Sequence, residues 1–419
     1  MMTQAFYTGV SGLRSNQTAI DVISDNLANI STNGFRASES EFTSLFENAL
    51  HSSSSNSSTN SEVGVGTRVQ ATAMNMQNGS LALSDRSTDL ALDGDGWFGV
   101  QSSGKPLYTR DGAFNFDAND DLVTTDGFHV LGTMGGNISN NVLTSVLNEV
   151  PLNDVGTQEK LQFPKFLTYP PEPTTNAKFF SNIGVGTDTV SAGAGVVDPK
   201  GNKNHLRLEF TKNSVQTPPG SQWNIKATTQ SLDGQTIYDT KTGTAEFGAT
   251  GELLSHTLTT IDNNGASVKI DLGSGFNGVV SINRPHESGS SIADGTIGGD
   301  LQGYAINQNG EVMATFTNGK QSSVGKIAVY HFQNDQGLDR ISGTRFEQSS
   351  NSGKALFYKD AAGKNIIGTN LVNFKLETSN VRADVALTEL IIYQKAYDAS
   401  SKCITTADQM IQKALGMHK

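Results

Sequence analysis

Both ends of the chain carry a narrow apolar stripe at helical spacing, and the long region between them does not. Stepping by four and three residues from Phe6 reaches Val10, Leu13, Gln17, Ile20, Ser24 and Leu27, with Ile23 and Ile30 widening the stripe. The same stepping from Leu387 reaches Leu390, Gln394, Tyr397, Ser401, Ile404, Asp408, Ile411 and Leu415. Residues at these intervals share one face of an α-helix. The first pattern predicts a helix of about 25 residues, roughly 35–40 Å long, and the second, over residues 379–417, one of roughly 55 Å. A helix docked on its own core shows a wide apolar face. A seam this thin, interrupted by Gln394, Ser401 and Asp408, is that of helices that pack on one another in a coiled-coil-like layer. The expected self-assembly positions are therefore Phe6, Val10, Leu13, Ile20, Leu27, Leu387, Leu390, Tyr397, Ile404, Ile411 and Leu415. Gly9 and Gly12 lie inside the first pattern. Each costs about 1 kcal/mol against alanine in a helix interior, so this helix is weak alone and needs a partner.

Between the seams the texture is β. Short alternating runs such as DLALDGDGWFGVQ and PLYTRDGAFNFDANDDLVTTDGFHVLG are punctuated by Asp-Gly and Asn-Asp turns, the spacing of a meander or barrel. Residues 151–175 concentrate proline, and HLRLEFTK, QWNIKATTQ, VKIDLG and GVVSINR follow as strands of a second region. From about 297 the first texture returns, with Asn-Gly turns at 309–310 and 318–319. The predicted class is mainly β with α-helical termini. Residues 1–40 and 377–419 form a helical assembly domain and 41–65 a linker. Residues 66–145 and 297–376 form one discontinuous β domain, interrupted by an inserted, β-barrel-like domain over 146–296. HSSSSNSSTNS at 51–61 is low-complexity polar sequence that cannot repay ordering entropy, so it reads as flexible.

Composition narrows the function. Of 419 residues only 17% are charged, 44 are glycine, and the net charge is −11 without a basic run. Clustered positive charge is what nucleic acid and anionic membranes require, so neither is an expected partner. No stretch approaches the ~18 apolar residues of a membrane helix. The start MMTQAFYTGVSGLRS has no basic residue before Arg14 and no unbroken apolar run, so it does not read as a cleaved secretory signal. A lone cysteine, Cys403, allows no internal disulfide and reads as a small apolar residue on a helix. HESGS at 286–290 has Ser290 where a zinc helix needs its second histidine. DANDD at 117–121 continues with Leu122 where a calcium loop needs glycine, and has Phe128 where it needs glutamate. The glycine-rich stretches at 64–67, 184–189 and 193–197 lack phosphate-loop spacing and a following lysine. No metal, cofactor or enzyme activity is expected.

The stretch ANISTNGF, residues 28–35, resembles the ANxxTxGF signature of the axial proteins of the bacterial flagellum, the rod, hook and filament-junction subunits; its motif residues here are Asn29, Thr32, Gly34 and Phe35. DGDGWFGVQ, the run from Tyr108 to Gly132 and TNGKQSSVGKIAVYHFQNDQGLDRISGTRFEQSSNSGKA are similar to that family's β motifs. SNVRADVALTELIIYQKAYDASSKCITTADQMI resembles its closing helix, with Ser379, Asn380, Val381, Gln394, Ala396, Tyr397, Thr406, Ala407 and Asp408 on recurrent positions. The length and the segment 202–228 are similar to the hook subunits rather than to the shorter rod subunits. The serine-rich tract is longer than is usual in them. The resemblance implies a self-assembling structural subunit of a flexible, torque-transmitting tube outside the cell. Its implied partners are other copies of itself and the rod, hook-cap and hook–filament junction proteins. It further implies type III export without a cleaved signal, for which Phe42 and Phe46 in FTSLF are the export-gate candidates. The residues leave one alternative: an exported adhesin-like binding module on a helical oligomerisation stalk, with Trp97 and Trp223 as contact residues.

Overall fold

A computed structural model describes residues 2–45, 66–186, 189–216, 219–287 and 289–416. The serine-rich tract 51–61 and Phe46 lie outside the described residues. The chain is mainly β, with a long helix at each end. Helix α1 spans Met2–Ala28 and helix α2 Ala383–Gly416. They lie antiparallel. Gly9 abuts Ile404 and Gly12 abuts Ser400, while beyond their other ends the Asn380 amide donates to Phe35 O at 3.3 Å. Among the described residues, no helix is long and apolar enough to cross a membrane.

After α1 the chain makes a hairpin of β1 (Ser38–Leu45) and β2 (Gly66–Met74), paired from Ser38↔Met74 to Leu45↔Gly66 with a register shift at Glu41/Phe42. This corrects the expected linker: residues 41–45 are strand, and so is 38–40, which had been placed in the helical domain. Serine and threonine fit a pleated, half-buried surface, and here α1 supplies the cover. Ser15 Oγ donates to Thr67 O at 3.0 Å, and Asn26 exchanges bonds of 2.7 and 2.9 Å with the backbone of Ser38.

The main β core takes strands from both sides of the insertion. Strand Gln321–Ile327 pairs with His129–Met134, Val329–Tyr330 with Trp97–Gln101, Arg345–Glu347 with Leu107–Thr109, and Asn370–Asn373 with Leu90–Asp93, all antiparallel. Its interior is aromatic and branched: Phe98, Phe114, Val130, Val312, Phe316 and Ile327 are fully buried. The inserted region does not begin at 146. Leu161, Phe163, Leu167 and Tyr169 belong to this same core and Leu152 to the neighbouring cluster around Trp97 and Tyr330, and the Tyr169 ring stands 5.3 Å from Phe316. The prolines of 151–175 lie among these extended pieces rather than in a linker, since proline suits edges and irregular extended chain.

The actual crossing is a double-stranded neck. The backbones of Glu172 and Thr296 exchange hydrogen bonds of 2.8 and 2.9 Å, and the Asp294 carboxylate accepts the amides of Thr175 and Asn176 at 2.8 and 3.0 Å. Beyond it lies a five-stranded antiparallel meander, Thr189–Val197 through Leu253–His256. Its buried residues alternate, as in Val190, Ala192, Ala194 and Val196, the period of a sheet with one wet face. The buried face closes on a smaller sheet of Asn176–Phe179, Thr260–Asn263, Ala266–Asp271 and Ser291–Ala293. Both layers share one core, with Trp223 and Phe210 at 0% exposure.

Candidate assembly surface and the clasp at its base

The face of α1 that the subunit itself buries begins with small residues and takes larger ones only toward its C-terminal end. Gly9, Ser15, Ala19, Ile23 and Asn26 are buried. A Cβ on Gly9 would stand 2.8 Å from Ile404 Cγ1, and one on Gly12 would stand 3.0 Å from Ser400 Oγ. The glycines therefore let the two helix backbones approach closely. Large residues at these two positions would force the helices apart.

The expected seam lies one residue over, about 100° around the helix. Along it Val10, Leu13, Ile20 and Leu27 are only half-buried and Phe6 is exposed. An apolar groove lined by Tyr7, Val10, Ser11, Leu45, Thr67 and Val69 runs between α1 and the hairpin. On α2, Leu390, Tyr397, Ile404 and Ile411 are half-buried, Leu387 and Leu415 are exposed, and only Ala386 and Ala407 are buried. Val385, Ile391, Ile392 and Met410 add further exposed apolar surface, as does Tyr7 on α1. Eight large apolar side chains above one-third exposure on helix faces of one subunit are a surface that wants cover. Covering them is worth on the order of 10 kcal/mol at about 1.5–3 kcal/mol each.

Phe42 is on β1, and its ring stands 5.7 Å from Tyr393 of α2. It thus joins hairpin to helix, while Phe46 lies beyond the described residues.

The four motif residues form the turn that closes α1. Asn29 Nδ2 donates to Asp25 O at 2.9 Å, and Thr32 Oγ1 donates to Asn29 Oδ1 at 3.1 Å. Gly34 has φ +66 and donates to Glu377 O at 2.8 Å; a Cβ there would stand 2.4 Å from Asp111 N. Only glycine meets both demands. Phe35 is buried, with the Arg340 guanidinium 4.8 Å above its ring.

Directly after this turn sits a charged node that the sequence reading did not single out. Glu377, on the strand leading into α2, is 2% exposed. Its Oε1 lies 3.1 Å from Arg36 Nη2 and accepts the Gly79 amide at 2.9 Å; its Oε2 accepts Arg110 Nε at 2.8 Å. Arg110 also donates to the carbonyls of Gly94, Gly96 and Leu92, and both arginines reach Asn78 Oδ1, at 2.8 and 3.1 Å. Burial, with Arg110 nearby and against the pull of Glu377, lowers the Arg36 pKa to about 10. Arg36 stays charged at neutral pH. Asn380 completes the joint: its Oδ1 accepts the Ala37 amide at 2.7 Å, and its Nδ2 donates to Asn75 O and Gln77 O at 3.0 and 2.8 Å. The available signal was Arg36 lying between Phe35 and Ala37 in a chain poor in charge.

The remaining candidates are structural. Asp117 Oδ1 accepts the amides of Asn119 and Asp121 at 2.8 and 2.9 Å. His286 Nδ1 lies 2.9 Å from Asn182 O. Among the described residues no group of His, Cys, Asp or Glu is placed to hold a metal ion. Trp97 and Trp223 are 1% and 0% exposed, so neither is the surface contact that a binding module needed.

An antiparallel pair of terminal helices with open apolar faces, clasped to a layered β body, defines a class: a structural subunit completed by other copies. Comparison with known proteins identifies it further. Residues 6–36 match the flagella basal body rod protein family, 91–162 the flagellar hook protein FlgE/F/G D1 domain, and 374–417 the flagellar basal body rod FlgEFG protein C-terminal family. The match over 91–162 runs past residue 145, in accord with the extent of the β core. The flagellar hook protein FlgE of Escherichia coli K12 is 28% identical over 99% of this chain and all of its own length. That of Borreliella burgdorferi is 27% identical over 98% and 99%, and that of Salmonella typhimurium 26% over 99% and 100%. The crystal structure of the Helicobacter pylori flagellar hook protein FlgE2 covers 71% of this chain and all of its own at a TM-score of 0.52 and 17% identity, a likeness of fold. Models of the flagellar rod and hook proteins thus match this chain in three places along its length, and flagellar hook proteins align with it end to end.

Proposed function

We propose that this chain is the structural subunit of a bacterial flagellar hook, polymerising into a flexible curved tube that passes torque from rod to filament. The observation that carries the reading is the open apolar surface on the paired terminal helices, in a chain that aligns end to end with hook proteins. The helix pair makes the inner wall and stacks on neighbouring copies through Phe6, Val10, Leu13, Ile20 and Leu27 on α1. On α2 the contacts are Leu387, Leu390, Tyr397, Ile404, Ile411 and Leu415. The β core forms the middle layer and the inserted sheets the outer one. Their Ser-, Thr- and Asn-rich faces suit contacts that slide as the tube turns. The rod, hook-cap and hook–filament junction proteins are the further partners. The subunit reaches the cell exterior through the flagellar type III exporter, with the segment around Phe42 and Phe46 engaging the gate.

Electron microscopy of concentrated protein tests this. The full chain should form tubes, and a chain lacking residues 1–35 should form none while keeping its β signal in circular dichroism. Helical signal at the ends should rise on polymerisation, because the glycine-weakened α1 gains partners. Failure to polymerise under any condition, with both ends already fully helical in dilute solution, overturns the reading.

A further inference from the structure

The helix pair meets the β body at a narrow waist, residues 34–37, 75–79 and 377–380. The waist carries long levers: α1 has 27 residues and α2 has 34. A rotation of about 10° at the waist moves the far end of a lever of about 40 Å by roughly 7 Å, more than one helical turn. Knobs on one helix then miss the holes on its neighbour. Packing alone does not prevent such a rotation, since apolar contact is non-directional. Directional bonds do.

We propose that Glu377 is a positioning residue for assembly, fixing through Arg36 and Arg110 the angle between the helix pair and the β core. The arrangement suits that task. Arg110 is anchored to the β frame by three backbone carbonyls, and it holds Oε2 of Glu377. Oε1 faces Arg36, which belongs to the turn that ends α1. One carboxylate thus ties the frame, the exit of α1 and the entry to α2, groups far apart in the chain. The planar forks of arginine restrict direction as well as distance. The node is also an expensive way to gain stability. It buries two cations against one anion, and Arg36 Nε is buried without a partner. A buried ion pair is weak as a source of stability and better attested as a device that selects one arrangement.

The consequence for tube geometry rests on the hook reading, but the test reads the subunit directly. Nitroxide labels are placed on Cys403, exposed on α2, and, through Ser102→Cys, on an exposed β-core turn. Labelled full-length chains are diluted in unlabelled wild type, and the intramolecular distance is measured before and after polymerisation. Wild type should give one narrow distance. Glu377→Gln should lose that peak to a broad or shifted one, and so should Arg36→Lys, which keeps the charge balance but not the fork. A role in stability alone would lower the melting midpoint and leave the peak of the folded population in place. Unchanged peaks in both variants overturn the proposal, as does a broad wild-type distribution in both states. Absence of wild-type tubes removes the hook reading and leaves the subunit distances to decide this one.

Discussion

Five-residue turns recur through the β body with one chemistry. In the turns starting at Asp117, Asp198, Asn307 and Asp360, the side-chain Oδ1 accepts the amides two and four residues on. The bonds are 2.8 and 2.9 Å, 2.9 and 2.8 Å, 2.9 and 3.0 Å, and 2.9 and 2.8 Å respectively. The fourth residue is left-handed each time: Asp120, Gly201, Gly310 and Gly363 have φ of 61, 84, 70 and 81. This is why DANDD looks like the start of a calcium loop and is a hairpin: its first carboxylate already serves backbone amides. Two glycines then separate strain from contact. Gly363 has φ +81 and open space where a Cβ would go, so Gly363→Ala should cost about 1 kcal/mol, the left-handed penalty alone. Gly34 adds the clash with Asp111 N at 2.4 Å, so Gly34→Ala should cost about 3 kcal/mol or more in urea unfolding. Equal losses would mean that the turn yields at Asp111. One titratable residue also matters at this scale. His331 is buried against Tyr358, ring centroids 4.1 Å apart, with Nε2 at 2.7 Å from Ile367 O. Burial lowers its pKa, against the pull of the Ile367 carbonyl. The unfolded chain therefore binds a proton that the native one refuses. Its contribution to stability is complete above about pH 6.5 and is lost as pH falls below that. Urea midpoints should drop more between pH 7.5 and 5.5 for wild type than for His331→Gln; parallel drops would clear His331 of the effect.

At the scale of elements, the two helices were legible because large apolar residues recur at helical spacing for many turns. The face they bury in the subunit was not. Gly9, Gly12, Ser15 and Ala19 carry no hydrophobic signal, so periodicity traced the larger residues one position away, which stay half open, with Val10 lining the groove beside the hairpin. The first strand of the hairpin was missed for a related reason: SESEFTSL borders a polar tract and alternates weakly, and only α1 lying over it makes a pleated surface useful. The clasp was half legible. Its motif residues resemble a known signature, but Arg36, Arg110 and Glu377 are single charges scattered through the chain, and no local pattern marks a three-body contact. The glycines give a prediction with two signs. In an isolated peptide of residues 1–30, Gly9→Ala with Gly12→Ala should raise helicity, since each exchange gains about 1 kcal/mol of propensity. In the full chain the same pair should weaken the α1–α2 contact, because the new methyls meet Ile404 Cγ1 at 2.8 Å and Ser400 Oγ at 3.0 Å. Circular dichroism of the peptide and hydrogen exchange along α2 in the full chain check the two halves. Increased protection on α2 would show that Ile404 simply turns aside.

At the scale of the molecule, the return of one β texture after the insertion pointed to a core built from two stretches of chain. The place where the insertion leaves was misread because proline clustering resembles a linker until the sheet it lies against is known. The neck makes the insertion separable. Glu172 and Thr296 exchange both backbone bonds, the closing pair that a two-residue hairpin requires. The cores on either side have no residue in common: one is built from residues between Ala177 and Val279, the other from Leu90–Tyr169 and Ile306–Leu371. Replacing residues 173–295 with Asn-Gly should therefore yield a β core that still folds cooperatively, with the helix pair attached. Its melting midpoint should stay within a few degrees of the β-core transition of the full chain, because independent cores contribute additively. In the hook reading the shortened chain should still form tubes, of smaller outer diameter by electron microscopy, since the inner-wall contacts are untouched. Without the outer sheets sliding on one another, those tubes should be less regularly curved. Loss of the β-core transition would show that the insertion supports the core through the neck, and tubes of unchanged diameter would show that it is not the outer layer.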